Sequence, residues 1–470
     1  MFFIFVVLLT AASAQVTFER HYGGESAEWG FCVQQTADSG YIVAGTTLSF
    51  GAGFYDGWLV RTDARGETLW TRAYGGTTGD YFYGVENAAG GGFLAVGYTG
   101  SSGAGGTDVW LVRTDSSGDT LWTRTYGGTA HDGATSLHPT ADSGYVIAGV
   151  TSSFGAGDYD GWLLKINSSG ETLWTRTYGG SGLDAANYVD VTADGGFILT
   201  GLFDRDGALG GDLWLVRTDS LGDTIWTKTL PASGHEDGYC VEETEDGGYI
   251  VVGATSSFGA GNYDLWLVRT DSEGETLWTK TFGGIDWDEG KGVRQLPDGG
   301  FVVVGSVKPP LPDNRKVWLL RTDSDGDTLW TRFYGGQSTS WGEWLELTSD
   351  GGMVMTGMTQ GDIHLVKTDA DGLLALADRG PVAVSDAHPA TLVRGVLKVP
   401  RDMNEIRSGI SGRVPRPALL DAIGRKVLDL HPGANDVRHL APGVYCVREK
   451  SSRTSRQPSA AIVRKVIITR

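Results

Sequence analysis

The chain has 470 residues, of which 72 are glycine and only 14 proline, with no Gly-X-Y triplet running through it, so collagen and proline-rich linkers are excluded. Its 16 Trp, 17 Tyr and 16 Phe exclude a disordered polymer. The net charge of −19 is uneven: residues 371–470 carry 17 Lys/Arg against 9 Asp/Glu, leaving 21 against 48 for residues 1–370, and so acidic a body argues against a nucleic-acid partner.

At the start of the chain, Phe2 to Leu9 are apolar and lead into Ala12-Ser13-Ala14, the small-x-small form accepted by signal peptidase. Residues 1–14 therefore read as an export signal. The run is shorter than the about 20 residues of a membrane span. No Cys follows the cleavage point, which argues against a lipid anchor there. Cys32 and Cys240 occupy the same repeat position, four repeats apart, which does not support a disulfide framework.

The body is periodic. Trp58, Trp110, Trp162, Trp214, Trp266 and Trp318 stand 52 residues apart, as do Trp70, Trp122, Trp174, Trp226, Trp278 and Trp330. The glycine series Gly45, Gly97, Gly149, Gly201, Gly253, Gly305 and Gly357 counts seven units. Within a unit, four short β-type runs alternate with turn chemistry; in the third they are Ala134 to Thr140, Tyr145 to Val150, Trp162 to Ile166 and Thr172 to Tyr178. The first hairpin turns on Asp-Ser-Gly or Asp-Gly-Gly, whose residues supply positive φ. Such a sheet is apolar on both faces and needs cover from neighbours on each side.

The seventh unit supplies only three strands before Asp369, and Val16 to Tyr22 match the missing outer one, as comparison with Thr68 to Tyr74 shows. Closure removes free sheet edges. The expected fold is all-β: a seven-bladed β-propeller over residues 15–374, closed by its N-terminal strand, with the repeated Trp side chains as wedges between blades. A linker over 375–390 and a small C-terminal β-sandwich over 391–470 follow.

The segment Val112-Arg113-Thr114-Asp115-Ser116-Ser117-Gly118-Asp119-Thr120-Leu121-Trp122 resembles the tryptophan-docking repeat of quinoprotein dehydrogenase propellers and, less closely, the Asp-box turn of sialidases. The whole unit is more similar to a group of secreted bacterial propeller-repeat proteins without an agreed activity. That resemblance covers roughly residues 16–372 and implies the fold, not a chemistry. In the tail, Ala418-Leu419-Leu420-Asp421-Ala422-Ile423-Gly424-Arg425-Lys426-Val427, Leu440-Ala441-Pro442-Gly443-Val444-Tyr445 and Arg464-Lys465-Val466-Ile467-Ile468-Thr469-Arg470 resemble the C-terminal sorting domain of type IX secretion. The resemblance implies that the type IX machinery is a partner and that the chain is released outside the cell or held at its surface. A generic β-sandwich adhesion module is the alternative. Cys446 stands where that family has an aromatic residue.

Function is expected on the long-loop face. Before the innermost strand of six units stands an acid: Glu28, Asp80, Asp132, Asp184, Glu236 and Asp288, with Ser340 in the seventh. One reading is a carboxylate ring at the channel mouth that holds Ca²⁺, a hard cation taking oxygen ligands. The other is that each carboxylate accepts backbone N–H bonds in its own loop. Trp29, Tyr81, Tyr83, Trp287 and Trp341 form an expected aromatic arc in units six, seven, one and two, suited to sugar rings or a protein segment. Trp344 fits either that arc or the core. His131 and His235 are the only His-carboxylate repeats at the mouth.

No cofactor is demanded, and a monomer is expected. Three functional classes stand: a binding protein for a glycan or protein ligand; a polysaccharide hydrolase or lyase using mouth carboxylates such as Asp132 and Glu236; and a structural surface-layer component. The sevenfold repetition disfavours the enzyme, because an acid and a base need different environments to separate their pKa values.

Overall fold

The computed structural model describes residues 15–204, 210–309 and 314–374, and seven strands between 391 and 468. The expected signal peptide and the 375–390 linker lie outside these residues. No helix occurs among them, and none is therefore long and apolar enough to cross a membrane.

Seven four-stranded antiparallel sheets account for residues 18–368. Blade one runs through Glu28–Gln35, Tyr41–Thr47, Asp56–Thr62 and Thr68–Tyr74 from inside to outside, and five blades repeat this order. The seventh contains Ser340–Leu347, Met353–Thr359 and Asp362–Thr368, and takes Phe18–Tyr22 as its outer strand, with Phe18 opposite Lys367 and Tyr22 opposite Ile363. The closure expected from the chain ends is thus observed.

Burial follows strand order. All seven residues of Tyr41–Thr47 and of Asp56–Thr62 are buried, whereas Thr68–Tyr74 contains none. Sheets covered on both faces must be apolar on both, hence the Val/Ile/Leu runs of the second and third strands. In the first hairpin, Gly195, Gly247, Gly299 and Gly351 have φ near +81°, and Ser39 and Ser143 take the same conformation in blades one and three at φ 65° and 66°.

The outer-strand tryptophans cross the blade interfaces, and Trp214 of the third-strand series does so as well. The third-strand ring of Trp214 abuts Gly161 of the preceding blade, where an added Cβ would stand 3.2 Å from Cζ3. The outer-strand ring of Trp70 covers Gly118 in the next blade's turn and donates Nε1–H to Ser116 O at 3.1 Å. Trp122, Trp174, Trp226, Trp278 and Trp330 repeat this over Gly170, Gly222, Gly274, Gly326 and Gly372. At the seventh interface Phe18 takes the indole's place over Gly66. Burying a Trp removes ~150–250 Å², about 4–6 kcal/mol of transfer free energy at most, well above a single hydrogen bond. That difference explains why the period is most visible in tryptophan.

The recurrent third-strand cations are tied to the first hairpin. Arg61 reaches Asp38 at 2.6 Å, Lys165 Asp142 at 2.8 Å and Arg217 Asp194 at 2.6 Å. In blade two the turn has no such acid, and Arg113 donates to Gly91 O at 2.6 Å instead.

The tail is a separate unit. Its backbone forms a five-stranded sheet, ordered Thr391–Val393, Ala461–Ile468, Gly443–Lys450, Ala418–Leu420 and Lys426–Asp429, and a pair of Val396–Val399 with Gly433–Asp436.

Candidate functional site: the central channel

The six mouth acids are buried, at 0–1% exposure, and each is bonded within its own blade's loops. Glu28 accepts from Gly24 N at 2.9 Å and Thr47 Oγ1 at 2.8 Å; Asp80 from Gly76 N and Ser101 Oγ, both at 2.7 Å; Asp132 from Gly128 N at 2.8 Å and Ser153 Oγ at 2.6 Å. Asp184 accepts from Gly180 N at 2.5 Å and Asp204 N at 2.9 Å, Glu236 from Thr255 Oγ1 at 2.9 Å, and Asp288 from Gly284 N at 2.5 Å. These are loop clasps, the geometry of the second reading. In blade seven Ser340 Oγ meets Thr359 Oγ1 at 2.7 Å.

A second acid from the preceding blade approaches several clasps. An added Cβ at Gly75 would lie 2.3 Å from Asp56 Oδ1 and 2.6 Å from Asp80 Oδ2, and Gly127, Gly179, Gly283 and Gly23 are flanked in the same way. Burial, then the charge of Asp80, raises the Asp56 carboxyl above its ordinary range. Between blades six and seven Lys316 and Ser340 replace the two acids, and Lys316 Nζ donates to Ser338 O at 3.0 Å.

The aromatic residues divide into three groups. Trp29 meets Trp341 with ring centroids 6.1 Å apart. Tyr81 lies 4.7 Å from Tyr98, 5.1 Å from Tyr55 and 6.3 Å from Tyr83, which packs on Phe31 at 4.6 Å. Trp287 stands apart, 46% exposed and stacked on Tyr263 at 4.5 Å. Among the described contacts His131 and His235 do not meet; the Nδ1 of each accepts a backbone N–H from the preceding blade, Thr107 at 3.2 Å and Gly211 at 3.4 Å.

The channel itself holds the denser chemistry. Each innermost strand carries a β-bulge, between Gly30 and Cys32 in blade one and between Gly342 and Trp344 in blade seven, which re-aims the side chains beyond it. A cavity of about 380 Å³ results, lined by Phe31, Tyr83, Tyr188, Tyr239 and Trp344 together with Gln34, Glu86, His138, Asn187, Lys291 and Glu343. Trp344 and Tyr188, from blades seven and four, meet at 5.3 Å, so the lining is continuous across the ring; Trp344 Nε1 is buried without a hydrogen-bond partner.

Two charged layers follow. In one, Lys291 Nζ sits 3.5 Å above the Tyr239 ring and 3.3 Å from Glu289, while Asn187 Nδ2 donates to Asp237 Oδ1 at 2.7 Å. Burial pushes the Asp237 and Glu343 carboxyls up to about 7, against the pull of Lys291. In the other, Arg294 stacks on Trp344 at 4.6 Å and donates to Val293 O at 2.6 Å. Burial raises Glu86 to about 8 and Glu242 and Glu346 to about 7, and lowers His138, bonded to Tyr188 Oη at 2.7 Å, to about 4. Near neutral pH this surface therefore offers protonated carboxyls, carboxylates, an amide and two fixed cations beside aromatic faces.

Of these residues the sequence reading named Tyr83 and Trp344 and missed the rest. The available signal was a broken repeat: one position of the innermost strand reads Gln34, Glu86, His138, Asp190, Glu242, Arg294 and Glu346 around the ring, while the position before it stays Val or Leu in every unit.

No protein-family model matches the chain. It is 26% identical over 184 residues to the regulatory protein FlaEY of Caulobacter vibrioides, a match spanning 36% of this chain and 19% of that protein. Among solved structures, similarity extends to PorZ, a surface component of the type IX secretion system of Porphyromonas gingivalis, with TM-score 0.46 and 12% identity, covering 93% of this chain and 59% of that one. It extends also to Sqt1 of Chaetomium thermophilum, with TM-score 0.44 and 11% identity over 75% of this chain and 99% of that one.

Proposed function

We propose that this chain is an exported binding protein whose propeller recognises a glycan, or a glycan-like face of a protein, at the mouth and lining of its channel. The observation that carries this reading is the about 380 Å³ cavity in which Phe31, Tyr83 and Tyr239 stand beside Glu86, Asn187, Lys291 and Glu343. Sugars present apolar faces edged by hydroxyls, and aromatic rings flanked by convergent hydrogen-bonding groups match that pattern. Residues 1–14 act in this reading as the export signal and 391–470 as the sorting domain read by the type IX machinery, on the strength of the sequence alone. Binding is tested by screening the full chain on a glycan array and repeating positive spots with Tyr83→Ala; absence of any saccharide signal rejects the reading. Export is tested by fusing residues 391–470 to a reporter in a bacterium with type IX secretion, and retention in the periplasm rejects the sorting role.

The second reading, a polysaccharide-active enzyme, is favoured by the channel carboxyls held near 7 to 8, the range in which a general acid keeps its proton at neutral pH. Asp132 and Glu236, in contrast, are engaged in the clasps of blades three and five. Release of reducing ends from a bound polysaccharide, lost in Glu86→Gln or Glu343→Gln, would favour this reading over binding alone.

A further inference from the structure

The repeat supplies its own standard for judging departures, and three departures meet at one place in blade seven. Opposite the second-strand glycine, six blades carry Trp, but blade seven carries His364 opposite Gly357. The outer strands of the same six carry Thr71, Thr123, Thr175, Thr227, Thr279 and Thr331, where the closing strand has Glu19. Two positions further on, Ala73, Thr125, Thr177, Thr229, Thr281 and Phe333 give way to His21.

The register pairs His21 directly with His364, and Glu19, two residues from His21, projects from the same sheet face. Where blade two sets Trp110 Nε1–H on Thr123 Oγ1 at 2.7 Å, blade seven sets His364 Nε2 against Glu19 Oε1 at 2.8 Å. One ligating atom from each of Glu19, His21 and His364 lies within 4.8 Å of the other two. His364 is 1% exposed and its Nδ1 is buried with no hydrogen-bond partner, while His21 is exposed. The group is thus fixed in the sheet on one side and reachable from solvent on the other.

Two imidazoles and a carboxylate are the donor set of a tetrahedral zinc-class site with one position left for water. A hydrogen-bonded ion pair alone would explain Glu19 and His364 but not His21. We propose that Glu19, His21 and His364 bind a divalent transition-metal ion of the zinc class, and that the ion fastens the closing strand to the third strand of blade seven.

The test is zinc titration into the chelator-stripped full chain, followed by calorimetry and thermal melting. The expected result is one-to-one binding with a melting temperature that rises with zinc and falls again with EDTA. His21→Ala, a change at an exposed position, should weaken binding by about 10–100-fold or more and abolish the zinc-dependent rise. His131→Ala, another exposed histidine, should retain both. Co²⁺ added to the wild-type chain should give the intense visible absorption of a tetrahedral site, a readout independent of any variant. Absence of stoichiometric binding and of the Co²⁺ spectrum overturns the proposal, as does binding that survives both His21→Ala and Glu19→Gln.

Discussion

Phe18→Ala tests the closure of the ring. Phe18 is 1% exposed, lies over Gly66 of blade one and meets Tyr41 edge-on at 5.7 Å. Removing a buried phenyl ring costs ~3–5 kcal/mol, and the site collapses poorly because Gly66 has no side chain to move into the gap. With an unfolding entropy of ~2.1 cal/mol/K per residue over the roughly 360 residues from 15 to 374, a loss of about 4 kcal/mol lowers the melting temperature by about 5 °C. The closing strand is only five residues long and pairs with one neighbour, so proteolysis near the N-terminus should precede global unfolding in the variant. Thermal melting followed by near-ultraviolet circular dichroism, with limited proteolysis in parallel, reads both effects. Phe18→Trp, which installs the residue used at the other six interfaces, should melt within a few degrees of wild type. A Phe18→Ala protein that melts within about 1 °C of wild type and keeps its proteolytic pattern would refute the wedge argument.

Gly118→Ala should cost about 2–3 kcal/mol, because φ is +82° and the added Cβ would stand 2.9 Å from the Trp70 ring. Gly195→Ala, with the same φ but open space around it, should cost only about 1 kcal/mol in denaturant unfolding. The channel carboxyls Glu86, Glu242, Glu343, Glu346 and Asp237, raised to about 7–8, favour the folded state when protonated. Their contribution is complete below the unfolded carboxyl range near ~4 and is lost as pH rises through about 7–8, so melting temperature should fall progressively from about pH 5 to pH 8 and level off above that, less steeply in Glu86→Gln. The turn acids Asp38, Asp142 and Asp194 act with the opposite sign: held at about 2, they stabilise above ~4 and lose that contribution as pH falls toward 2. For any saccharide found to bind, Tyr83→Ala should weaken affinity by roughly tenfold, the loss of one aromatic contact, as measured by calorimetry.

The architecture was legible because repetition exposes what every blade must share. The outer-strand tryptophans wedge between neighbouring blades, the Asp-Gly-Gly turns close the first hairpin within a blade, and Val16 to Tyr22 match the outer strand that the seventh unit lacks. Repetition says less about the candidate site. A recurring acid such as Asp80 recurs because it clasps its own loops. The channel is built from residues that do not recur, such as Glu86, Lys291 and Arg294. Strand alternation does not locate them either, because the bulge after Gly30 and its counterparts shifts the inside–outside phase of each innermost strand. Trp344 and Tyr188 hold the same repeat position three units apart, but the period alone does not say that their side chains meet across the channel.

The bond between Phe18–Tyr22 and Asp362–Thr368 also sets an order on how the molecule comes together. Joining segments about 345 residues apart costs roughly 1.7 kcal/mol more in chain entropy than joining segments 52 apart, by the logarithmic dependence of loop closure on length. Neighbouring blades can stack as each repeat emerges, but the first strand must wait for the last sheet. Until then the nascent arc carries two unsatisfied margins, and a truncation anywhere before residue 368 leaves both of them open to pairing with another chain.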